Sequence, residues 1–413
     1  MTLSLARRAE HFPDRTAVVD ISEDRLYAPA ETIDEDRITY DGLSTVATRT
    51  AARLSSRGIG PGDTVCLVTR NRVASLALFF ACRRLGATLA PISHLLTPAS
   101  VDRPFDVLEP ELVVAEAAQR DLVRSIPFDR AVTIEELTET ERAPVAFDDD
   151  RARTHSPLAL HGVSGRPVAR YSADTLERNC VTGIVAWGLA ANDVVPLTLP
   201  LATADGFVRV ALSVLFVGGT LLLDRAFDPG DAATAMAEAD ATFLPGREPA
   251  IRDIANASGF ENAVDSLERV VCEGPVADDV VAAYHDCGVT VARAYGRLEC
   301  PTALSQRFGA DRGESDSTAS VVGRPVPDCR ARLIDGEDSV LEDAATGRLQ
   351  LAGPMVADGY VTPSSTGDEQ GGEPADLEGS EREAAEDRGR FTDGWFDTGQ
   401  RFRRDEGGNY HLR

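Results

Sequence analysis

An alternation of short apolar runs with longer amphipathic stretches constrains the fold of this chain more than any other feature. Leu43, Val46, Ala47, Thr50, Ala51 and Leu54 share one face at helical spacing. The breaker Gly58-Ile-Gly-Pro-Gly62 follows, then the apolar run Val65 to Thr69. A second helix pattern covers Ala74 to Leu85 and stops at Gly86, and strand-like runs follow at 87–92 and 112–115. Residues 136–156 are polar and charged and read as a linker. The rhythm then resumes, with helices expected near 174–190, 207–217, 231–239 and 278–287. Strands are expected near 194–199, 220–223, 241–245, 267–272 and 289–294. This alternation is the sequence form of an α/β fold with a largely parallel sheet.

After about residue 305 the pattern changes to short β-like segments with Gly and Pro turns, including Ala331 to Ile334 and Gly347 to Ala352. A small β-rich subdomain is expected there. The expected organisation is 1–145 as a first α/β subdomain, 157–304 as a second, and 305–413 as the β-rich one. Residues 364–390 hold nine carboxylates and three arginines, and only one apolar side chain larger than Ala. They are expected to be a solvated, disordered insertion.

Charge narrows the function classes. The chain carries 67 acidic against 42 basic residues, a formal net charge of −25, and all the basic residues are arginine. Such a surface repels phosphate backbones and excludes nucleic acid as the expected partner. A Schiff-base lysine or a P-loop cation cannot come from this chain. Lysine-free acidity suggests a halophile-type surface; codon bias toward arginine is the plainer explanation, and the two are compatible. The seven cysteines form no C-x-x-C pair and fit reduced, mostly buried thiols in a cytoplasmic protein. The longest apolar stretch, Phe207 to Leu223, contains Arg209 and a Gly218–Gly219 break. It therefore reads as a buried helix and strand, not a membrane span.

Chemistry concentrates in a few strings. His161-Gly-Val-Ser-Gly-Arg-Pro-Val168 follows an apolar run and precedes a helix pattern starting near Asp174. A Gly-containing turn between strand and helix is a place where backbone N–H groups cradle phosphate. Further strings are Ile38-Thr-Tyr-Asp-Gly-Leu43, Arg293-Ala-Tyr-Gly-Arg-Leu-Glu299, Val322-Gly-Arg-Pro-Val326, Gly347-Arg-Leu-Gln-Leu-Ala-Gly-Pro354 and Asp358-Gly-Tyr360. The most specific is Phe391-Thr-Asp-Gly-Trp-Phe-Asp-Thr-Gly399.

In this order and spacing the strings resemble the AMP-binding, adenylate-forming family over essentially the whole chain. That family includes acyl-CoA and aryl-CoA ligases, nonribosomal-peptide adenylation domains and luciferases. The resemblance implies two doubly wound α/β subdomains plus a small distorted β-barrel. It implies coupling of a carboxylic acid to ATP, with magnesium, and transfer of the acyl group to a thiol such as CoA. Gly162, Ser164 and Gly165 match the phosphate loop, but Val168 stands at the loop lysine and Leu160, His161 and Val163 at its hydroxyl residues. Ala202, Thr203 and Ala204 stand where an aromatic or His residue usually gates the acid pocket.

Gly274 and Pro275 resemble the adenine-contacting turn, and Tyr295, followed by Gly296, matches the residue packed on adenine. A core aromatic is the alternative for Tyr295. Glu299 matches the magnesium-binding carboxylate and is the candidate catalytic residue. Gln400 replaces a ribose-binding aspartate, and Arg413 falls near a ribose-contacting Gly-Arg pair. The family's C-terminal domain, with its own lysine, is expected to be absent. Three readings follow: a catalytically impaired nucleotide or acid binder, an active ligase completed by a separate C-terminal domain, or a structural subunit partnering an active homologue.

Overall fold

A computed structural model describes residues 3–21, 37–126, 128–140, 155–308, 320–362 and 390–413. The proposed disordered insertion, except Arg390, and most of the expected linker lie outside these residues. The described residues form a mixed α/β fold with three sheets.

The seven-stranded sheet has parallel strands Ala131–Thr133, Leu112–Ala115, Thr64–Thr69, Thr88–Ser93 and Leu158–His161, in that spatial order. Val168–Tyr171 and Gly359–Tyr360 then add antiparallel at one edge. The 112–115 strand is buried throughout, as befits a strand covered on both faces. Helix Val73–Leu85 is apolar nearly all round and buried; it ends where Gly86 adopts φ +71. Helix Tyr40–Ser56 packs on it, its start capped by Thr39, whose hydroxyl accepts the Gly42 N–H at 3.0 Å. The expected linker opens differently: Ile134–Glu139 is helical, closed by a Thr133/Glu136 capping box.

A larger sheet begins with parallel strands Phe243–Arg247, Arg269–Glu273 and Thr290–Arg297. It continues antiparallel through Cys300–Ser305, Val321–Pro325, Tyr410–Leu412, Trp395–Arg404, Ala345–Ala352 and Arg330–Ile334. The β-rich region is thus hydrogen-bonded directly onto the second α/β region. Its pairings run as an open path and do not close into the implied barrel among the described residues. A third, four-stranded sheet joins Thr16–Asp20 and Arg37–Thr39 to Val194–Leu197 and Thr220–Leu223. Sheets therefore cross the sequence intervals: the 158–171 strands belong to the first sheet, and 16–20 pairs with 220–223. No helix among the described residues is long and apolar enough to cross a membrane.

Candidate active site

The 162–167 loop corrects the sequence reading of its surroundings. It is the turn of a hairpin between antiparallel strands Leu158–His161 and Val168–Tyr171, not a strand-to-helix turn. The helix begins only at Ala173, capped by Ser172. A four-residue strand with one exposed member, Arg170, hides between loop and helix. The turn is tight: Gly162 N–H donates to Pro167 O at 2.8 Å and Gly165 N–H to Gly162 O at 2.9 Å. A Cβ on Gly162 would overlap the Arg166 carbonyl, and Gly165 sits at φ +92. Val163 is 95% exposed at the tip, and the N–H groups of Val163 and Ser164 have no acceptor among the described residues. The Ser164 hydroxyl is turned onto the Arg166 carbonyl at 3.3 Å.

One cation reaches this loop from outside: Arg103 Nη1 donates to Ser164 O at 3.4 Å. Val168 is buried in the apolar cluster with Val101 and Phe105. Arg166 donates to Asp106 at 2.8 Å and to the Arg103 carbonyl, which holds it against the neighbouring 100–106 segment. His161 is locked instead of exposed. Its Nε2 accepts the Ser93 N–H at 3.0 Å, and its Nδ1–H donates to Gly162 O at 2.7 Å. Burial holds its pKa below the ordinary histidine value, so the neutral ring is the stable form.

Glu299 lies in the turn between Thr290–Arg297 and Cys300–Ser305, only 2% exposed. Backbone carbonyls on and around it are pinned from three directions. Tyr171 donates to Leu298 O, Ala357 N–H to Glu299 O at 2.7 Å, and Arg209 Nε to Pro301 O at 2.7 Å. The carboxylate accepts the Tyr360 hydroxyl at Oε1, 2.5 Å away. Oε2 has no hydrogen bond among the described residues and lies 3.7 Å from Arg297 Nε. Tyr171 and Tyr360 lie on adjacent strands of the first sheet, so the 162–167 hairpin and the Glu299 turn are joined through that sheet.

Tyr295 and Gln400 are brought together. The Tyr295 hydroxyl donates to Gln400 Oε1 at 2.5 Å, and its ring meets Phe402 edge-on at 4.9 Å. Tyr295 is buried among Cys300, Leu304 and Phe402, the surroundings of a core aromatic. Gly274, at φ +82, donates its N–H to Ala294 O at 2.8 Å, which places the 274–275 turn beside Tyr295; Pro275 is exposed. Gly296 is required by contact, because a Cβ would strike the Pro301 carbonyl and the Arg209 guanidinium. Arg413 contributes a backbone bond to Arg401 O at 3.1 Å; its side chain is exposed and has no partner among the described residues.

The structure adds an ionic quartet, buried except for Arg247, that the sequence reading missed. Arg209, 4% exposed, pairs with Asp205 at 3.0 Å and Glu273 at 2.7 Å. Arg247 pairs with Asp205 at 2.5 Å and lies 3.5 Å from Glu273. Arg209 and Asp205 sit on Asp205–Leu212, an eight-residue π-helical run, a form concentrated at functional sites. Burial pushes the Glu273 carboxyl up, to about 7, against the pull of Arg209. Burial also opposes the Asp205 charge, but Arg209 and Arg247 outweigh it and hold its pKa low. The available signal was Arg209 inside the longest apolar run.

The donor set suits a hard cation in one respect. Magnesium is commonly held by one or two carboxylates with substrate phosphates and water, and Glu299 offers a buried oxygen, Oε2, that lacks a hydrogen bond among the described residues and faces Arg297 Nε at 3.7 Å. Among the described residues no cluster of three or more His, Cys, Asp or Glu exists to hold a metal alone. Magnesium here would therefore have to arrive with phosphate.

Comparisons with known proteins give the family and the fold. Residues 5–361 match the family model described as AMP-binding enzyme. The chain is 27% identical to the feruloyl-CoA synthase of an Amycolatopsis species, over 78% of this chain and 66% of that protein. It is 27% identical to the indoleacetate–CoA ligase of Aromatoleum aromaticum, over 88% and 71% of the two chains. Its length thus spans just under two thirds of the first of these relatives. The fold matches ATP-bound MatB from Rhodopseudomonas palustris with a TM-score of 0.80 at 23% identity, covering 100% of this chain and 78% of that one. It also matches AMP-bound o-succinylbenzoate coenzyme A synthetase from Bacillus subtilis, with a TM-score of 0.79 at 16% identity and coverage of 99% and 97%.

Proposed function

Because this chain belongs to the AMP-binding enzyme family, we propose that it binds an adenine nucleotide and a carboxylic acid as the acid–CoA ligases do, but adenylates the acid poorly. The observation that carries the reading is the phosphate loop. Its N–H groups remain available, yet Val168 is buried and Arg166 is held by Asp106. Attack of a carboxylate on an α-phosphate brings two anions together. A loop with valine in place of a cation at position 168, and with its serine hydroxyl turned onto its own backbone, loses electrostatic stabilisation worth about 3–4 kcal/mol per donor in comparable sites. Glu299 would hold magnesium together with the nucleotide phosphates; magnesium supplies charge neutralisation when bound. Tyr360 fixes one carboxylate oxygen; the other, opposite Arg297 at 3.7 Å and without a hydrogen bond among the described residues, is the one that would meet the metal. CoA as acyl acceptor belongs to this proposal.

One observation favours the second reading, an active ligase completed by a separate domain: the Glu299 turn is intact and fully braced. A test of the binding claim is calorimetric titration with AMP, and with ATP in the presence and absence of magnesium. Wild type is expected to bind both nucleotides, and Glu299→Gln to lose the magnesium-dependent part of ATP affinity while keeping AMP. If the variant shows the same magnesium dependence as wild type, Glu299 is not the metal contact.

A further inference from the structure

In open α/β sheets, ligands occupy the crevice outside the carboxyl ends of the strands. Here Arg247 and Glu273 are the last residues of parallel strands Phe243–Arg247 and Arg269–Glu273, registered side by side. The quartet they form with Asp205 and Arg209 abuts the candidate site, since Arg209 packs against Gly296 and bonds Pro301 O. We propose that this edge selects the acid substrate, and that the preferred acid carries a second carboxylate received by Arg247. The proposal rests on the ligase-type reading above.

Four charges at a sheet edge are costly neighbours for an apolar tail. A hydrocarbon laid over them removes water from paired ions and returns no hydrogen bonds. A carboxylate behaves differently. The Arg247 side chain is 53% exposed, while Arg209 is sealed in at 3%. Asp205 and Glu273 hold Arg247 through Nη2 and Nε, and its Nη1 makes no bond among the described residues. The neighbouring Glu248 is turned to Arg252 at 2.7 Å and does not compete. A guanidinium fixed on one side and open on the other is suited to a carboxylate, with its orientation already paid for by the protein.

Charge balance points the same way. With both acids ionised the quartet is neutral, and an added anion would be the third among two cations. With Glu273 protonated the quartet is +1, and one ligand carboxylate neutralises it. The groups facing Glu273 are Asp205 and Arg209 from the π-helical run and Arg247 from the next strand. Cys272 precedes it in its own strand, with Arg293 and Glu248 beyond, and Cys300 lies behind Arg209. Binding the second carboxylate therefore takes up a proton at Glu273, and it weakens as pH rises through about 7.

The test is calorimetry on the full chain with AMP present, using α,ω-dicarboxylates and monocarboxylates of matched chain length, and cinnamate as an aromatic monoacid. A dicarboxylate of suitable length is expected to bind at least about ten-fold tighter than its monocarboxylate match. Arg247→Met should abolish that ratio, a readout that partial unfolding does not shift selectively. Glu273→Gln should keep the ratio but flatten its fall above pH 7. Monocarboxylates binding as tightly as dicarboxylates, or Arg247→Met retaining the preference, overturns this proposal and leaves the ligase reading standing. AMP binding without any acid binding overturns both.

Discussion

At the scale of single residues, the substitutions in the phosphate loop have structural consequences and are not blank losses. His161 uses both ring nitrogens to tie the ends of two strands together. Val168 belongs to the apolar cluster under the hairpin. The environment has thus been rebuilt around an apolar side chain, and restoring the cation alone should fail. Val168→Lys is expected to destabilise the protein by ~2–4 kcal/mol, because a buried ammonium has no carboxylate partner there. It should also leave nucleotide turnover low. Denaturant unfolding together with a turnover assay checks this; a stable, fully active variant contradicts it. Tyr295 shows the opposite case, since its motif was legible and its use was not. The hydroxyl bond to Gln400 and the edge contact with Phe402 depend on residues about a hundred positions away, which no local pattern reveals.

At the scale of elements, most of the α/β rhythm was readable because buried parallel strands and amphipathic helices leave strong periodic signals. Helix Val73–Leu85 and strand Thr64–Thr69 fall within a residue of the sequence reading. The 168–171 strand was not readable. Four residues with one exposed arginine look like loop, and their strand character comes from pairing with 158–161 and 359–360. The quartet was hidden for a related reason: positions 205, 209, 247 and 273 converge only after three strands are stacked in register. The hairpin yields its own prediction. Gly162→Ala forces a methyl into the Arg166 carbonyl, so the turn must open. AMP affinity should be little changed, and triphosphate binding should fall about ten-fold relative to AMP in equilibrium titrations. An unchanged ATP-to-AMP affinity ratio would show that the loop does not meet phosphate.

At the scale of the whole molecule, the missing lysines carry the argument. A formal charge of −25 carried without a single lysine leaves arginine to supply every side-chain cation. Arginine forms fixed, forked contacts with carboxylates, and it is paired with buried carboxylates here: Arg72 with Glu116, Arg269 with Asp193, Arg209 with Asp205. Cations used in this way brace the sheets and the Glu299 turn; at the 162–167 loop Arg166 is held by Asp106, and Arg103 is engaged with the Ser164 carbonyl at 3.4 Å. On the proposed reading, the fold keeps its nucleotide-binding form while the electrostatics of the reaction are weakened. The most direct test is ATP–pyrophosphate exchange by the purified chain over a panel of aryl, fatty and dicarboxylic acids. The account predicts exchange slower by roughly 10²-fold or more than the ~10 s⁻¹ of an ordinary enzyme, even with the best acid. Exchange at ~10 s⁻¹ with any acid, with no added protein, would contradict it.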